Sequence, residues 1–339
     1  MLARVSVVIF SSSLLLATGA VAPVRAETHR YVPKKEELKY TFATAPPVLR
    51  LKPGDTLATW THSAFGDFVD HPESSSPEDF RPNPNTGPFF IEGAGPGDTL
   101  VVRLLTIEPA SDIAYGSAGP GFGGLTNTRY TPMLDTPYKA RVWKYRIDRR
   151  AGTVEFSALD SDFKTQLPLR PFLGCLGVAP ADDEARGTIV PEFFGGNMDT
   201  PEVRAGTTIY FPVNFPGALL YLGDGHAAQG EGEIAGTAAE IAMNVTLSVD
   251  VLKGRRIGAP RLEDETYLMA AGSYRPLEDA FRIASRELIA WLVEDYGLSA
   301  LDAYELLSVA MESNVSQIVD PNYTAVAKIK KAYLPPKKR

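Results

Sequence analysis

The chain has 339 residues, and 41 acidic side chains against 34 lysines and arginines give it a formal net charge of −7 at pH 7. Only the C-terminal stretch KKAYLPPKKR is basic, so the sequence lacks the electrostatic footprint of a nucleic-acid-binding protein and a polybasic membrane patch. An apolar content of 44% with 22% charged residues is that of an ordinary globular protein. Cys175 is the single cysteine, which excludes an intrachain disulfide.

The first 26 residues have the layout of a cleaved secretory signal. Arg4 precedes an apolar stretch, and small residues follow up to Ala26. A membrane anchor is the alternative, but the apolar part is short and is interrupted by serines and Gly19. We therefore expect cleavage near Ala26 and a mature protein that acts in the periplasm or outside the cell, without membrane association.

Period-two alternation of apolar and polar residues predicts that β-strands dominate the chain. Pro-Gly and Gly-Asp turns separate these stretches. The clearest are TLVVRLLTI (99–107), VWKYRI (142–147), TVEFSAL (153–159), TTIYFPVN (207–214) and IAMNVTLSVDV (241–251). Between the first two, residues 109–137 have little pattern, which is typical of a long loop that serves as a lid or a subunit contact.

Helical periodicity is confined to the end of the chain. Apolar residues recur every three or four positions from Pro276 until Gly297, and Ser299–Asp302 resembles a capping box that opens a second helix through about Glu312. The pattern predicts a mainly β, sandwich- or barrel-like fold with a C-terminal helical hairpin, α+β overall. We expect one domain over 27–339, with two subdomains (27–170 and 171–339) as the alternative.

The stretch GDGHAAQGEGE, residues 223–233, combines Asp224, His226, Glu231 and Glu233 with four glycines. The glycine spacing resembles a phosphate-binding loop, but acids stand where that loop needs lysine and serine or threonine, and the acids are out of register for a calcium-binding EF-hand. On an extended backbone Asp224 and His226 point to the same side. A carboxylate with an imidazole suits zinc or a similar divalent metal, whereas a hairpin turn with a structural histidine is the alternative.

Two further acidic segments add ligands to this hypothesis. GGNMDT places Asp199 just before a strand, and TWTHSAFGDFVDH (59–71) offers His62, Asp67, Asp70 and His71. Each segment alone favours a plain structural interpretation, a turn capped by Asp199 and a solvated loop over 62–71. Together they supply about the number of ligands that a metal with an open position requires. Cys175 lies in the apolar run FLGCLGVAP and is interpreted as a small buried residue, and no GxSxG motif is present.

Taken together, these segments resemble the acetamidase/formamidase family. The resemblance is carried by TGPFFIEGAGPGDTLVV, GCLGVAPA, GGNMDT, FPGALLYLGDGHAAQGEGEIAGTAAE and SQIVDPN. It implies a β-rich hydrolase of small amides with a divalent metal held by acidic and histidine residues. Asp199, Asp224, His226 and Glu231 fall on matching positions of these motifs.

Two features depart from that resemblance. Family members usually carry a D-[SA]-G-G-x-D-like segment near the N-terminus, whereas this chain reads HSAFGD, with His62 at the first acidic position and Asp67 at the second. The second departure is the secretory signal.

We predict an exported, metal-dependent amidohydrolase that cleaves a small linear amide to a carboxylate and ammonia by metal-activated water. Asp199, Asp224 and His226 are the predicted ligands, completed by His62 or Asp67, and Glu231 is the predicted general base beside His226. Zinc is the expected metal, with calcium as an alternative, and the resemblance implies a homo-oligomer of at least two chains. A binding protein on the same scaffold and a hydrolase of a cyclic imide or lactone are the alternative functions.

Overall fold

The computed structural model describes residues 26–66, 81–125 and 139–338. The helices are α1 (Leu277–Trp291) and α2 (Ala300–Ala310). The strands, in chain order, are β1 (Thr28–Tyr31), β2 (Thr41–Phe42), β3 (Leu49–Leu51), β4 (Thr56–Thr61), β5 (Asn85–Ile91), β6 (Thr99–Pro109), β7 (Ile113–Ala118), β8 (Arg141–Asp148), β9 (Thr153–Ser157), β10 (Lys164–Pro168), β11 (Phe172–Gly177), β12 (Arg186–Gly187), β13 (Gly195–Asn197), β14 (Thr208–Pro212), β15 (Leu220–His226), β16 (Met243–Leu252), β17 (Arg261–Glu263), β18 (Tyr267–Tyr274), β19 (Glu312–Gln317) and β20 (Tyr323–Lys330).

The largest sheet joins strands from both ends of the chain, in the order β1-β4-β16-β6-β14-β17-β18-β20-β19. All its pairs are antiparallel except β1 with β4. Strand β16 shows why alternation predicts these elements: Met243, Val245, Leu247 and Val249 are buried, and the residues between them face outward. The alternation of apolar and polar residues in β16 therefore arises because one face of the strand is buried, and this face packs into the main core.

A second sheet of five strands, β13-β11-β15-β5-β3, contributes to the same core. Strand β15 lies between β11 and β5, and all seven of its residues are buried. A four-stranded sheet, β10-β9-β8-β7, lies beside it and is linked to it where Tyr115 bridges to Glu240. Both large sheets combine strands from either side of residue 170.

The helical hairpin is confirmed at the C-terminal end. Ala284, Leu288 and Trp291 of α1 pack with Leu268 and Ile329 of the large sheet in a second core cluster. The predicted cap of α2 is present, because the Ser299 hydroxyl accepts from the Asp302 backbone N–H at 3.0 Å. The predicted mainly β, α+β fold class is therefore confirmed.

The patternless segment 109–137 differs from the prediction in one respect. Residues Ile113–Ala118 form β7, which pairs with β8 along its whole length, so part of the predicted loop is a strand. Its residues are only partly buried on one face, and the apolar–polar alternation that identifies strands is weak there. Residues 126–138 and the predicted signal up to residue 25 lie outside the described part of the chain. Among the described helices, none combines the length and apolar character that crossing a bilayer requires.

Candidate metal centre

The predicted acids meet where β11, β13 and β15 lie side by side. Asp224 and His226 end β15, and Asp199 follows β13 by two residues, with its backbone N–H donating to the carbonyl of Gly174 in β11 at 3.2 Å. A β-carbon at Gly174 would overlap both the Oδ1 atom of Asp199 and the Oδ2 atom of Asp224. The two carboxylates therefore occupy the space that a side chain at position 174 would need.

Within the described ranges, His226 belongs to two groups of three buried side chains with metal-binding atoms. Asp199, His226 and Glu233 form one group, and Asp224, His226 and Glu240 form the other; in each, the ligand atoms lie within 4.8 Å of one another. The Nε2 atom of His226 lies 3.3 Å from Asp224 Oδ1 and 3.0 Å from Glu240 Oε2. These distances are short enough for ion pairs, but neither contact has the angle of a hydrogen bond.

Gln229 determines which ring nitrogen of His226 carries the proton. Its amide nitrogen donates to the carbonyl oxygens of Asp199 at 2.7 Å and Ser316 at 3.0 Å, which fixes the orientation of the amide. The amide oxygen therefore faces His226 Nδ1 at 2.8 Å and accepts its proton. In the neutral ring the lone pair is then on Nε2, directed at two carboxylates, which is the state that binds a metal.

Four buried atoms of this cluster have no hydrogen-bond partner: Asp199 Oδ1, Asp224 Oδ1, Glu240 Oε2 and His226 Nε2. Buried acceptors without a donor cost free energy, typically about 1–3 kcal/mol each and more for charged groups. A cation held by either group would compensate His226 Nε2 together with the unpartnered carboxylate oxygens of that group. Carboxylate oxygens and an imidazole nitrogen match the preference of zinc and similar divalent ions, so the residues present fit such a metal.

Two asparagines hold the other oxygen of each aspartate. Asn197 Nδ2 donates to Asp199 Oδ2 and to Asp320 Oδ2, both at 2.7 Å, and Asn83 Nδ2 donates to Asp224 Oδ2 at 3.2 Å. Asn83 Nδ2 also donates to Asn197 Oδ1 at 2.8 Å, which joins the two supports. Each aspartate is thus held at Oδ2 and presents Oδ1 to the centre.

Cys175 lies beneath this network and not in the metal-binding groups. Its thiol donates to Asn197 Oδ1 at 2.7 Å and is fully buried. Burial raises the pKa of the Cys175 thiol well above its ordinary value, with the charge of Asp224 adding to the effect. A protonated thiol that supports Asn197 agrees with its interpretation as a buried packing residue.

Three acids of the centre have left-handed backbone angles, which non-glycine residues seldom adopt. The φ angles are 44° at Asp199, 58° at Asp224 and 45° at Glu233. Such conformations cost on the order of 1–3 kcal/mol each and concentrate at functional sites. Here all three residues belong to the metal-binding groups, two of them to one group and Asp224 to the other.

Burial dominates the electrostatics of the cluster. It raises the pKa of Asp199 and of Glu233 well above the ordinary values, and it raises the pKa of Asp320 and of Glu240 to about 7. Burial alone would lower the pKa of His226, but Glu240 and Asp224 outweigh it and raise that pKa. Burial likewise opposes ionisation of Asp224, yet the neighbouring His226 lowers its pKa. Closely packed acids of this kind hold protons until a cation replaces them.

We expect the metal-free protein to be less stable at about pH 7.5 than at about pH 5.5. Between these values the folded chain binds more protons than the unfolded chain, because the folded pKa of Asp320 and of Glu240 is about 7 against ordinary values of 3.8 and 4.5. The free energy of unfolding therefore falls as pH rises through this window. Asp55 and Asp98, whose pKa values are lowered, are ionised in both states here and do not oppose the trend.

Thermal unfolding with a chelator should show this as a Tm lower by a few °C at the higher pH, and added zinc should remove the difference. A Tm that rises with pH in the chelated protein would contradict the buried acidic cluster.

The centre opens into a cavity of about 360 Å³. Asp224, Glu233, Glu240 and Asp320 form its floor. A small substrate can therefore reach the carboxylates.

The structure brings together Asp199, Asp224 and His226, as predicted from the sequence, but places Glu231 and His62 outside both metal-binding groups. Glu231 is exposed and belongs to neither group, whereas Glu233 is buried in one of them. A 3-10 turn spans Glu231–Glu233, with φ of 83° at Gly232, and this turn separates the two side chains. On an extended backbone, two residues at this spacing would instead lie on one side. Burial and the nearby Glu202 raise the pKa of Glu231.

His62 is half-buried and packs edge-to-face on Trp60, with ring centroids 4.4 Å apart. It belongs to neither metal-binding group of the described chain. Asp67, Asp70 and His71 lie outside the described residues.

Sequence reasoning missed five functional candidates: Glu240, Asp320, Asn83, Asn197 and Gln229. Four of them lie inside segments that carried the family resemblance, namely Asn197 in GGNMDT, Asp320 in SQIVDPN, and Gln229 and Glu240 in FPGALLYLGDGHAAQGEGEIAGTAAE. That signal was therefore available for these four. Asn83 is recognisable only from its hydrogen bonds.

Replacing Gln229 with leucine should weaken zinc binding about 10- to 100-fold, the usual effect of removing a group that orients a ligand. The leucine cannot accept from His226 Nδ1, so the ring can rotate or take the other tautomer. Zinc titration with a competing chelator measures the change. Gln166→Leu is the matched control, because Gln166 is exposed on β10 and contacts Glu155. Unchanged zinc affinity in Gln229→Leu would contradict the assigned tautomer.

The chain is similar in sequence and in structure to several known proteins. Residues 178–332 match the model of the Acetamidase/Formamidase family. The crystal structure of an acetamidase from Yersinia enterocolitica is 37% identical, covers 92% of this chain and 94% of its own, and superimposes with a TM-score of 0.81. An acetamidase from Mycolicibacterium smegmatis is 29% identical over 62% of this chain. The chain spans 64% of that relative and 51% of another, from Schizosaccharomyces pombe, at 27% identity.

Proposed function

Because the chain belongs to the acetamidase/formamidase family, whose named members are hydrolases of non-peptide C–N bonds, we propose that it is a metal-dependent amidase. It converts a small amide to a carboxylate and ammonia. The observation that carries the metal dependence is the set of four buried, unpartnered atoms that converge beside the cavity. A family name alone would support amide hydrolysis but not this chemistry.

His226 would hold the metal in either of two arrangements, with Asp224 and Glu240 or with Asp199 and Glu233. A divalent cation bound there supplies Lewis-acid chemistry, which polarises an amide carbonyl and lowers the pKa of water. The imidazole favours zinc over calcium, since calcium prefers oxygen ligands alone. His62 is left out of the proposed ligand set, because its ring packs on Trp60.

Glu233 is the residue we assign to proton transfer. It is buried, lines the cavity and has a pKa raised by desolvation. As a carboxylate it can accept a proton from the attacking water, and the resulting carboxyl can then donate that proton to the departing nitrogen. Glu231, the general base predicted from the sequence, is exposed and is better placed to exchange protons with solvent.

The test is ammonia release by purified protein from formamide, acetamide and larger primary amides, before chelation, after chelation, and after reloading with zinc or calcium. Activity that disappears with the chelator and returns with zinc supports the proposal. Amide binding without turnover would favour the binding-protein alternative. Turnover of cyclic imides or lactones but not of linear amides would favour the other hydrolase.

We further propose that the mature enzyme begins near Glu27, is exported, and assembles as a homo-oligomer. Export rests on the signal-like residues 1–26, and assembly rests on the family resemblance. N-terminal sequencing of the secreted protein and light scattering of the purified protein test the two statements separately.

A further inference from the structure

We propose that the substrate is a primary amide whose acyl group is apolar and larger than acetyl, about the size of an aromatic ring. This inference rests on the proposed amidase function and names its substrate class. It follows from the contrast between the two sides of the cavity above the candidate metal centre.

Apolar side chains form another part of the cavity lining, which we call the apolar wall. Its volume, about 360 Å³, falls in the range of pockets for drug-sized ligands, roughly 300–1,000 Å³. Formamide and acetamide have three and four non-hydrogen atoms and would fill a small part of it. The apolar side chains are those of Ala64, Phe65, Pro82, Phe122 and Ile189.

Phe122 is held in place at this wall although 43% of it is exposed. Its ring occupies the space beside Gly236, where φ is 90° and a β-carbon would overlap the ring. The segment that carries it is tied down on both sides. Ser117 N–H donates to Thr237 Oγ1 at 2.8 Å, and Gly124 N–H donates to the Ile234 carbonyl at 2.9 Å. The wall is therefore preformed, which reduces the entropy lost when an apolar group binds.

Phe65 faces the same cavity from the other end of the wall. It follows β4 and is 8% exposed. Asn83, which supports Asp224, is joined to this segment because its backbone N–H donates to the Ala64 carbonyl at 2.9 Å. The apolar wall and the acidic floor thus belong to one connected structure, and a ligand that touches the wall lies against the floor.

The acidic floor determines which end of the amide it receives. The amide hydrogens of Asn83 and Asn197 are already donated to Asp224, Asp199 and Asp320, so the floor offers carboxylate acceptors. The two N–H donors of a primary amide match such acceptors. In an N-aryl amide, the aryl group replaces one of these donors and its ring would lie against carboxylates. The acyl group therefore lies on the apolar wall. A carboxylate on the acyl group would lose its hydration against the apolar wall.

The experiment compares kcat/KM of the zinc-loaded enzyme for acetamide, butyramide and phenylacetamide, with acetanilide and 4-carboxyphenylacetamide as probes of the opposite chemistry. We expect phenylacetamide to exceed acetamide at least tenfold, since even one methylene in an apolar pocket is worth about 10- to 200-fold. Acetanilide and the carboxylated amide should each fall at least tenfold below phenylacetamide.

Phe122→Ala should lower the ratio of phenylacetamide to acetamide about tenfold, and Phe122→Leu should restore part of it. Phe281→Ala is the matched control, because Phe281 is 39% exposed on α1, outside this cavity, and should leave the ratio unchanged.

Two results overturn the inference and leave the amidase function standing: acetamide as the preferred substrate, or a ratio that Phe122→Ala does not change. Preference for acetanilide would also overturn it, because the wall would then receive the amine side. Failure to hydrolyse any linear amide, with zinc bound, would instead overturn the proposed function. Isothermal titration of phenylacetamide and of acetamide into the His226→Ala variant then measures the affinity of the cavity for each amide without turnover. Equal affinities would overturn the proposed preference for a large apolar acyl group as well.

Discussion

Replacing His226 with alanine is expected to lower amide hydrolysis by about 10³-fold and to remove the bound metal. The imidazole is common to both metal-binding groups, and its Nε2 atom is the only nitrogen in either of them that is free of another hydrogen bond. A catalytic metal contributes several kcal/mol of transition-state stabilisation, and each 1.4 kcal/mol is a factor of ten in rate. Metal content by mass spectrometry and ammonia release measure the two effects.

His29→Ala is the control for the loss of a histidine. His29 is partly buried, and its Nε2 atom lies 3.0 Å from Asp55 Oδ2 at the edge of the large sheet. This variant should keep metal and activity. Circular dichroism and the Tm separate loss of the site from loss of the fold in His226→Ala. Stoichiometric metal in a folded His226→Ala protein would refute the assignment of the centre.

Replacing Gly174 with alanine should lower activity about 100-fold or more, although it adds only one methyl group. The new β-carbon would overlap Asp199 Oδ1 and Asp224 Oδ2, so at least one carboxylate must move. The space has no flexible side chain that can yield at low cost, because Asn197 and Asn83 hold the same carboxylates at 2.7 Å and 3.2 Å. A displacement of about 1 Å in a catalytic arrangement can cost 100-fold in rate.

Gly187→Ala is the matched control for this substitution. Gly187 also lies in a strand, and a β-carbon there meets nothing within 4 Å. It should keep full activity and metal content. Zinc titration and kcat/KM measure the effect in Gly174→Ala, and thermal unfolding reports whether the fold is retained. Wild-type zinc affinity in this variant would show that the carboxylates do not depend on the open space above Gly174.

The strands could be predicted from the sequence because their signal is local. In β16 the buried positions alternate strictly, and one face of the sheet determines the pattern. In β7, whose burial is uneven, the same rule fails. The segments that carry Asp199, Asp224 and His226 could be identified because each joins a carboxylate or an imidazole to glycines beside a strand.

The rest of the centre depends on contacts that local patterns do not contain. Glu240 reaches His226 through a backbone bridge between the end of β15 and the segment before β16. Asp320 is joined to Asp199 through Asn197, which lies 123 residues before Asp320 in the chain. The choice between Glu231 and Glu233 depends on a left-handed glycine between them, and sequence periodicity does not report that angle.

The position of His226 in both groups limits how many ions the centre can hold through this ring. Nδ1 donates its proton to Gln229, so Nε2 has the one lone pair left for coordination, and a lone pair binds a single cation at a time. The two sets of acids are then competing arrangements around one ion and not two separate sites. When one set of acids binds the ion, the other set cannot bind it, and the glutamate of that other set is free of the metal. The centre therefore has more carboxylates than the ion needs as ligands, and one acid stays available for proton transfer.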